Sequence, residues 1–294
     1  MISIKGASIS CCLVLLSCSN NIDQAMERPI HNENKKFQTE DYRKINLEGT
    51  HNTRELGGYI TEEGKSLKWG VLYRSDKLSE LSQADQDYLV ALGIKNIVDF
   101  RSAQEKEEEP DKIPNGINYI ELPIEADGAI RPRVEAILRG EDDTDPGDLL
   151  VNANKDFVLK YKEEYKRFLL ALAEKNEPTL FHCTAGKDRA GYAAAITLLT
   201  VGVPVDVVIE DYLKTNIYAA DFIENSLDKV ELFGVQNDDV EKLRPLLGVE
   251  ERFILAALKK IDEEFGSFQA FVSSPDGLNL DTDTINNLKS FLLE

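Results

Sequence analysis

Cys183 and Arg189 are separated by five residues in the run Phe181-His182-Cys183-Thr184-Ala185-Gly186-Lys187-Asp188-Arg189. A thiol, a short glycine-containing turn and a guanidinium at that spacing are the parts of a nucleophilic site for anions. Backbone N–H groups in a tight loop that feeds a helix N-terminus form a nest for negative charge, and the helix dipole adds to it. A thiol held in such a field gives up its proton and becomes a nucleophile. Arg189 offers a planar fork that can hold two phosphate oxygens at once. Gly186 permits the turn, Lys187 sets a second positive charge beside the pocket, and Thr184 and Ala185 bring further loop amides. The expected site is therefore Cys183 as nucleophile, Arg189 as fork, and Thr184, Ala185, Gly186 and Lys187 as phosphate binders. His182 is read as a buttress of Cys183. Asp188 has two readings, a cap of the following helix or a proton donor.

The elements that must position these residues alternate. Gly70-Val71-Leu72-Tyr73-Arg74, Ile94–Phe100, Asn118–Leu122 and Thr179–His182 read as short apolar strands. Ser82 reads as the N-cap of a helix carrying Ala84, Tyr88, Leu89 and Leu92 on one face and stopped by Gly93. Asp156–Ala173 has helical spacing, with Phe157, Tyr161, Tyr165, Phe168, Leu169 and Leu172 in one stripe that is read as core. Further helices are expected at Arg189–Val201, Val205–Lys214, Glu250–Glu263 and Thr282–Leu293. Such alternation predicts an α/β domain with a central, mainly parallel sheet flanked by helices, the extra helices packing on the sheet or forming a lid. Between Glu125 and Val151, Gly, Pro and acidic residues break the periodicity, so residues 125–151 are read as a lid or a surface excursion. Asp99 and Arg101 fall at a strand's C-terminal end, where α/β sites gather. Phosphate contact and support of the loop are equally open to both. Arg54 and Arg74 are read as partners of acidic neighbours.

The string His-Cys-Thr-Ala-Gly-Lys-Asp-Arg resembles the active loop of the bacterial, atypical branch of the protein tyrosine phosphatases. Asn52-Thr53-Arg54-Glu55-Leu56-Gly57-Gly58 is similar to that branch's Asn-x-Arg-Asp-Leu-Gly-Gly motif, with Glu55 in place of Asp. Leu72-Tyr73-Arg74-Ser75 and Val98-Asp99-Phe100-Arg101 match by position and character, and the similarity runs from about Asn46 to the C-terminus. The resemblance implies a cysteine-phosphatase fold, a phosphocysteine intermediate, no metal and no organic cofactor, and Asp188 as the general acid. It implies as substrate a phosphorylated protein or peptide, first phosphotyrosine and then phosphoserine or phosphothreonine, or else a phosphoinositide, whose charge Lys187 would suit. Two departures stand out. Ala190 replaces the Thr or Ser whose hydroxyl, in this superfamily, helps the thiolate leave. The single tryptophan, Trp69, belongs to no Trp-Pro-Asp loop.

Ala7–Leu16 is an apolar run of signal length that ends at Ser17-Cys18, and polar residues follow. Residues 1–17 are therefore expected to be a lipoprotein signal, Cys18 the lipidation site, residues 18–40 a flexible tether and 41–294 the phosphatase domain. The expected place is a bacterial cell envelope, the protein being held to a membrane only through its N-terminal lipid. Cys11 and Cys12 would leave with the signal, so Cys183 would be the one free thiol and no internal disulfide could form. No stretch reaches the roughly 18–20 apolar residues of a membrane span. With 53 acidic against 34 basic residues the net charge is -19, which argues against a nucleic-acid partner.

Other chemistries fit less well. A Walker loop fails because Phe181 stands where its first Gly belongs and Asp188 where Ser or Thr belongs. A zinc site would draw on His31, His51, His182 and Cys183, which are scattered. A protease pairing Cys183 with His51 leaves Arg189 unexplained, and sulfurtransferase loops differ in length. The expected activity is phosphomonoester hydrolysis; a phosphate-binding module without turnover is the alternative that Ala190 keeps open.

Overall fold

The computed structural model describes residues 42–125, 127–139, 141–232 and 240–294. The expected signal, tether and Cys18 lie outside the described residues. Five strands form one sheet in the order β1 (Arg54–Glu55), β2 (Leu72–Ser75), β5 (Thr179–His182), β3 (Asn96–Asp99), β4 (Asn118–Glu121). β1 pairs antiparallel with β2, and every other pairing is parallel. β2, β3 and β5 are buried throughout, as expected of strands covered on both faces. Successive residues alternate between two cores. Leu72, Val98 and Phe181 enter the larger one, while Tyr73, Ile97 and Leu180 join Ile45, Leu81 and Leu89 on the other face.

Register brings the ends of the three central strands level. Ser75 and Asp99 both pair with His182, so the segments that follow β2, β3 and β5 emerge side by side. The loop from Cys183 to Arg189 leaves β5 at that end of the sheet.

The helices close both faces. α1 (Gln83–Ala91) starts with a reciprocal capping box between Ser82 and Asp85. It buries Asp85 and Leu89, and Ala84 is exposed rather than on the core face. α2 (Ala103–Glu108) starts with a second box, Ser102 with Glu105. The 125–151 segment is helical where the sequence suggested broken periodicity: α3 covers Asp127–Leu138 with Pro132 inside it, and α4 covers Pro146–Leu159. The physical reason is position. Pro146 occupies the first turn, where no N–H is needed, and Asp145 caps it by accepting from Gly147 N at 2.9 Å. The aromatic stripe is split between α4 and α5 (Lys162–Lys175), with the break at Lys160 and Tyr161. Phe157, Tyr165, Phe168, Leu169 and Leu172 are all buried even so.

α6 (Arg189–Val201) follows the loop and ends at Gly202, whose φ of 97° only glycine adopts readily. Small residues, Ala190, Gly191 and Ala193 to Ala195, let this helix lie buried almost all round. Then come α7 (Val205–Leu213), α8 (Thr215–Tyr218), α9 (Ala220–Leu232), α10 (Arg244–Leu247), α11 (Glu251–Phe265), α12 (Phe268–Ser273) and α13 (Thr282–Leu292). The sequence reading assigns no helix at α9, although Ile223, Leu227 and Val230 have helical spacing. α11 buries Phe253, Ile254, Ala257 and Ile261 and packs along α4. No helix among the described residues is long and apolar enough to cross a membrane.

Candidate active site

Cys183 is the first residue after β5 and is 2 % exposed. The residues after it are held from outside by their carbonyls. Lys77 N donates to Thr184 O at 3.1 Å, Asn52 Nδ2 to Ala185 O at 3.0 Å, and Arg74 Nη2 to Gly186 O at 2.8 Å and Lys187 O at 3.3 Å. In a planar trans peptide the N–H points opposite to the carbonyl. Four carbonyls drawn outward therefore turn the following amides, those of residues 185–188, to the inside. Amides turned the same way can receive an anion, and the donors to the carbonyls are what turn them.

Those outer groups are themselves anchored. Asp211 on α7 accepts from Arg74 Nη1 at 2.8 Å and Arg54 Nε at 3.4 Å, and Tyr59 donates to it at 3.0 Å. Burial opposes the charge of Asp211, but the two arginines outweigh it and hold the carboxyl below its ordinary value. Arg54 Nη1 also donates to Asn52 Oδ1 at 2.6 Å, which orients the amide that holds Ala185. Asp76 accepts from the His51 and Asn52 amides. Gly186, at φ 67°, passes so close to β2 that a Cβ would stand 2.6 Å from Ser75 O.

Arg189 opens α6 and is 5 % exposed. Its Nη1 and Nη2 each donate to one oxygen of Glu105 at 2.7 Å, so a bidentate pair fixes the guanidinium plane. Thr184 Oγ1 donates to Glu105 Oε1 and accepts from Arg189 Nη2. The Thr184 hydroxyl is thus committed to Glu105 and does not replace the hydroxyl absent at Ala190. Asp188 makes no side-chain cap to α6. It receives Tyr212 Oη at 3.2 Å on Oδ1, and Lys187 Nζ lies 3.2 Å from Oδ2. Lys187 also donates to Gly248 O at 2.8 Å and Pro245 O at 3.3 Å, tying the loop to the end of α10.

Cys183, Thr184, Ala185, Lys187, Asp188 and Arg189 line one cavity of about 250 Å³. Its remaining walls are apolar: Ile130 and Val134 of α3, Leu150, Ala153 and Phe157 of α4, and Leu246 of α10. Gly186 shapes the loop from behind. Asp99 and Arg101 are not brought to this cavity, which corrects their reading as phosphate binders. Both are essentially buried, and Arg101 joins the carboxylates of Asp99 and Asp111, each within salt-bridge distance. Of the two roles left open for them, the structure supports the buttressing one. Tyr119 donates to Asp99 at 2.5 Å, and His182 Nε2 lies 3.2 Å from Asp111 and 3.8 Å from Asp99. Burial alone would lower the imidazole, yet Asp99 and Asp111 together raise it above its ordinary value. Burial works against the Asp99 charge as well, but His182, Arg101 and Tyr119 draw it down to about 2. Asp99, Asp111 and His182 come within 4.8 Å of one another, as metal ligands do, but Arg101 already pairs with both carboxylates.

Sequence reasoning missed Glu105, which sits in an acidic run that reads as a solvated face. The Ser102-Ala103-Gln104-Glu105 capping-box spacing was the available signal. It missed Asp211 and Tyr212 too, and no local pattern marks either.

The ends of the central strands thus bring together a thiol, loop amides and a fixed guanidinium in an α/β domain. Residues 45–294 match the tyrosine phosphatase family, and the chain belongs to it. A Cupriavidus necator protein carrying a tyrosine-protein phosphatase name is 32% identical over 234 residues, covering 78% of this chain and 82% of that one. The triple specificity protein phosphatase PtpB of Mycobacterium tuberculosis is 28% identical over 283 residues, 84% of this chain and 98% of PtpB. Among solved structures, TpbA of P. aeruginosa aligns at a TM-score of 0.32 and 20% identity, over 62% of this chain and 89% of TpbA.

Proposed function

We propose that this phosphatase is cysteine-dependent and hydrolyses phosphotyrosine in proteins or peptides through a phosphocysteine intermediate. The observation that carries this reading is the shape of one cavity: an anion nest with Cys183 and Arg189 at its polar end, and apolar walls from α3, α4 and α10. A phosphate seated on the loop amides leaves its aryl group against Ile130, Val134 and Phe157.

Cys183 thiolate attacks phosphorus in line with the ester oxygen. The S–P bond forms, the P–O bond breaks, and Asp188 gives its proton to the leaving phenolate. The loop amides and Arg189 hold the charge on the equatorial oxygens. In the second step Asp188 takes a proton from water, whose oxygen attacks phosphorus, and the thiolate leaves. No step calls for a metal. Asp188 is favoured as the acid because it lines the cavity and leaves the α6 amides uncapped.

The N-terminal sequence supports a further part of the reading: acylation of Cys18, with the domain held at a membrane of the cell envelope by residues 18–40. Cys18→Ala should then release the protein from membranes, and native protein found soluble with an unmodified Cys18 contradicts it.

The test of substrate class is a comparison of kcat/KM on a phosphotyrosine peptide, a phosphoserine peptide and a phosphoinositide dispersion. The phosphotyrosine peptide should be turned over best. A preference for the phosphoinositide would overturn the substrate and leave the mechanism standing. Binding without turnover of any of the three would make the domain a phosphate-binding module.

A further inference from the structure

Asp188 is held by a group that lies outside the loop and outside the cavity lining. Tyr212, on α7, donates from its hydroxyl to Asp188 Oδ1 at 3.2 Å, while Lys187 Nζ faces Oδ2. The sequence is fitted to this contact. The Tyr212 ring packs over the first turn of α6, where a Cβ at Gly191 would stand 2.7 Å from a ring carbon. Tyr212 is 1 % exposed, and it follows directly on Asp211, the carboxylate that anchors Arg74 and Arg54. Neighbouring residues of α7 thus grip the loop in two places. Asp211 sets the nest through Arg74 and the Gly186 carbonyl, and Tyr212 sets the carboxyl of Asp188.

From this geometry we infer that Tyr212 is a positioning residue for proton transfer: its hydroxyl, donating to Oδ1, confines the transferable proton of Asp188 to Oδ2 and fixes the plane of the carboxyl. The inference rests on Asp188 being the general acid. Burial and the neighbouring carboxylate hold the Tyr212 phenol well above the ordinary tyrosine range, so it stays a neutral donor throughout turnover. In the first step the Oδ2 proton passes to the departing ester oxygen, and Tyr212 continues to donate to Oδ1 of the carboxylate. In the second step Oδ2 recovers a proton from the attacking water, and the same contact remains. Lys187 yields Oδ2 in the protonated state without losing its own partners, because the carbonyls of Gly248 and Pro245 still accept from it.

The experiment compares the full chain with Tyr212→Phe, Asp188→Asn and the double variant on a graded series from p-nitrophenyl phosphate through phenyl phosphate to an alkyl phosphate. Thermal midpoint and inhibition by inorganic phosphate report folding and the intact nest. Tyr212→Phe keeps the ring over Gly191, so phosphate inhibition should stay at its wild-type value and the midpoint should fall by no more than the few degrees that one lost hydrogen bond costs. Its kcat/KM, which reports the step in which the ester oxygen departs, should fall roughly tenfold on phenyl phosphate, the scale of one hydrogen bond to a charged group, and change less than about twofold on p-nitrophenyl phosphate. Added to Asp188→Asn, it should cost nothing further. Equal loss across all leaving groups, or a loss that adds in full to that of Asp188→Asn, would overturn the role of Tyr212. Uniform loss in Asp188→Asn itself would overturn the acid assignment, and the inference with it. A selective Asp188→Asn with a uniform Tyr212→Phe defeats the inference alone.

Discussion

Glu105→Gln puts the fixed guanidinium to the test. Glu105 accepts from both terminal nitrogens of Arg189 at 2.7 Å and from the Ser102 amide at 2.8 Å, and it also takes the Thr184 hydroxyl. The two side chains are 6 % and 9 % exposed, so solvent does little to screen them. Removing one partner of a buried ion pair costs about 3–5 kcal/mol, because the remaining charge is left uncompensated. Glutamine keeps the volume and one acceptor but turns an NH₂ towards the guanidinium, which places the cost near the lower end, about 3 kcal/mol. For a domain of this size each kcal/mol moves the midpoint by roughly 2–4 °C, so a fall of about 6–12 °C is expected by calorimetry. The catalytic loss should be of similar size. A guanidinium freed from its plane by an ångström can cost on the order of 100-fold in kcat/KM, and inorganic phosphate should inhibit more weakly. A lowered midpoint with unchanged kcat/KM and phosphate inhibition would refute the claim that Glu105 sets Arg189 for the substrate. A midpoint within a degree or so of wild type would refute the ion-pair reasoning itself.

Gly186→Ala should cost about 1–2 kcal/mol through its positive φ alone, and more from the Cβ placed 2.6 Å from Ser75 O; activity should fall further than stability, as steady-state kinetics beside a thermal scan would show. The His182 and Asp99 cluster gives a pH signature. His182 is raised in the fold, so its contribution is fully present below about pH 6.5 and is lost as pH rises through the raised value. Asp99 is depressed to about 2, so its contribution is present above its ordinary value and is lost as pH falls through about 2. Midpoints measured from acid to pH 9 should show the alkaline decline, and His182→Asn should flatten it; an unchanged slope would contradict the pairing. Ala190 predicts slow breakdown of the phosphoenzyme, seen as a burst of leaving group before a lower steady rate, and Ala190→Thr should raise the steady rate without altering the burst.

The sequence showed the loop and its flanking strand and helix because local rules govern them. Thr179–His182 is a short apolar run, Arg189–Val201 ends on glycine, and the spacing of Cys183 from Arg189 is a backbone requirement. The helices at Asp127–Leu138 and Pro146–Leu159 were obscured because Gly, Pro and Asp serve both as breakers and as helix starts. Asp99 and Arg101 lie at the correct end of the correct strand, yet their side chains turn towards Asp111, His182 and Tyr119. Period-2 alternation tells which face a residue takes and not which partner it meets there. Asp211 and Tyr212 reach the site from a distant segment, so only the folded chain reveals them, and the capping box that marks Glu105 announces a helix start and not its pairing with Arg189. Arg54 and Arg74 do have an acidic partner, and it lies far away on α7 rather than beside them in sequence.

The most direct measurement is rapid acid quench of the enzyme during turnover of an aryl phosphate, followed by mass spectrometry of the peptide carrying Cys183. A phosphoryl group on Cys183 that appears within the burst and decays at the steady rate is the predicted result, with Cys183→Ser folded, able to bind inorganic phosphate and inactive. Turnover that persists in Cys183→Ser, with no phosphoryl group on that peptide in the wild type, would contradict the cysteine mechanism.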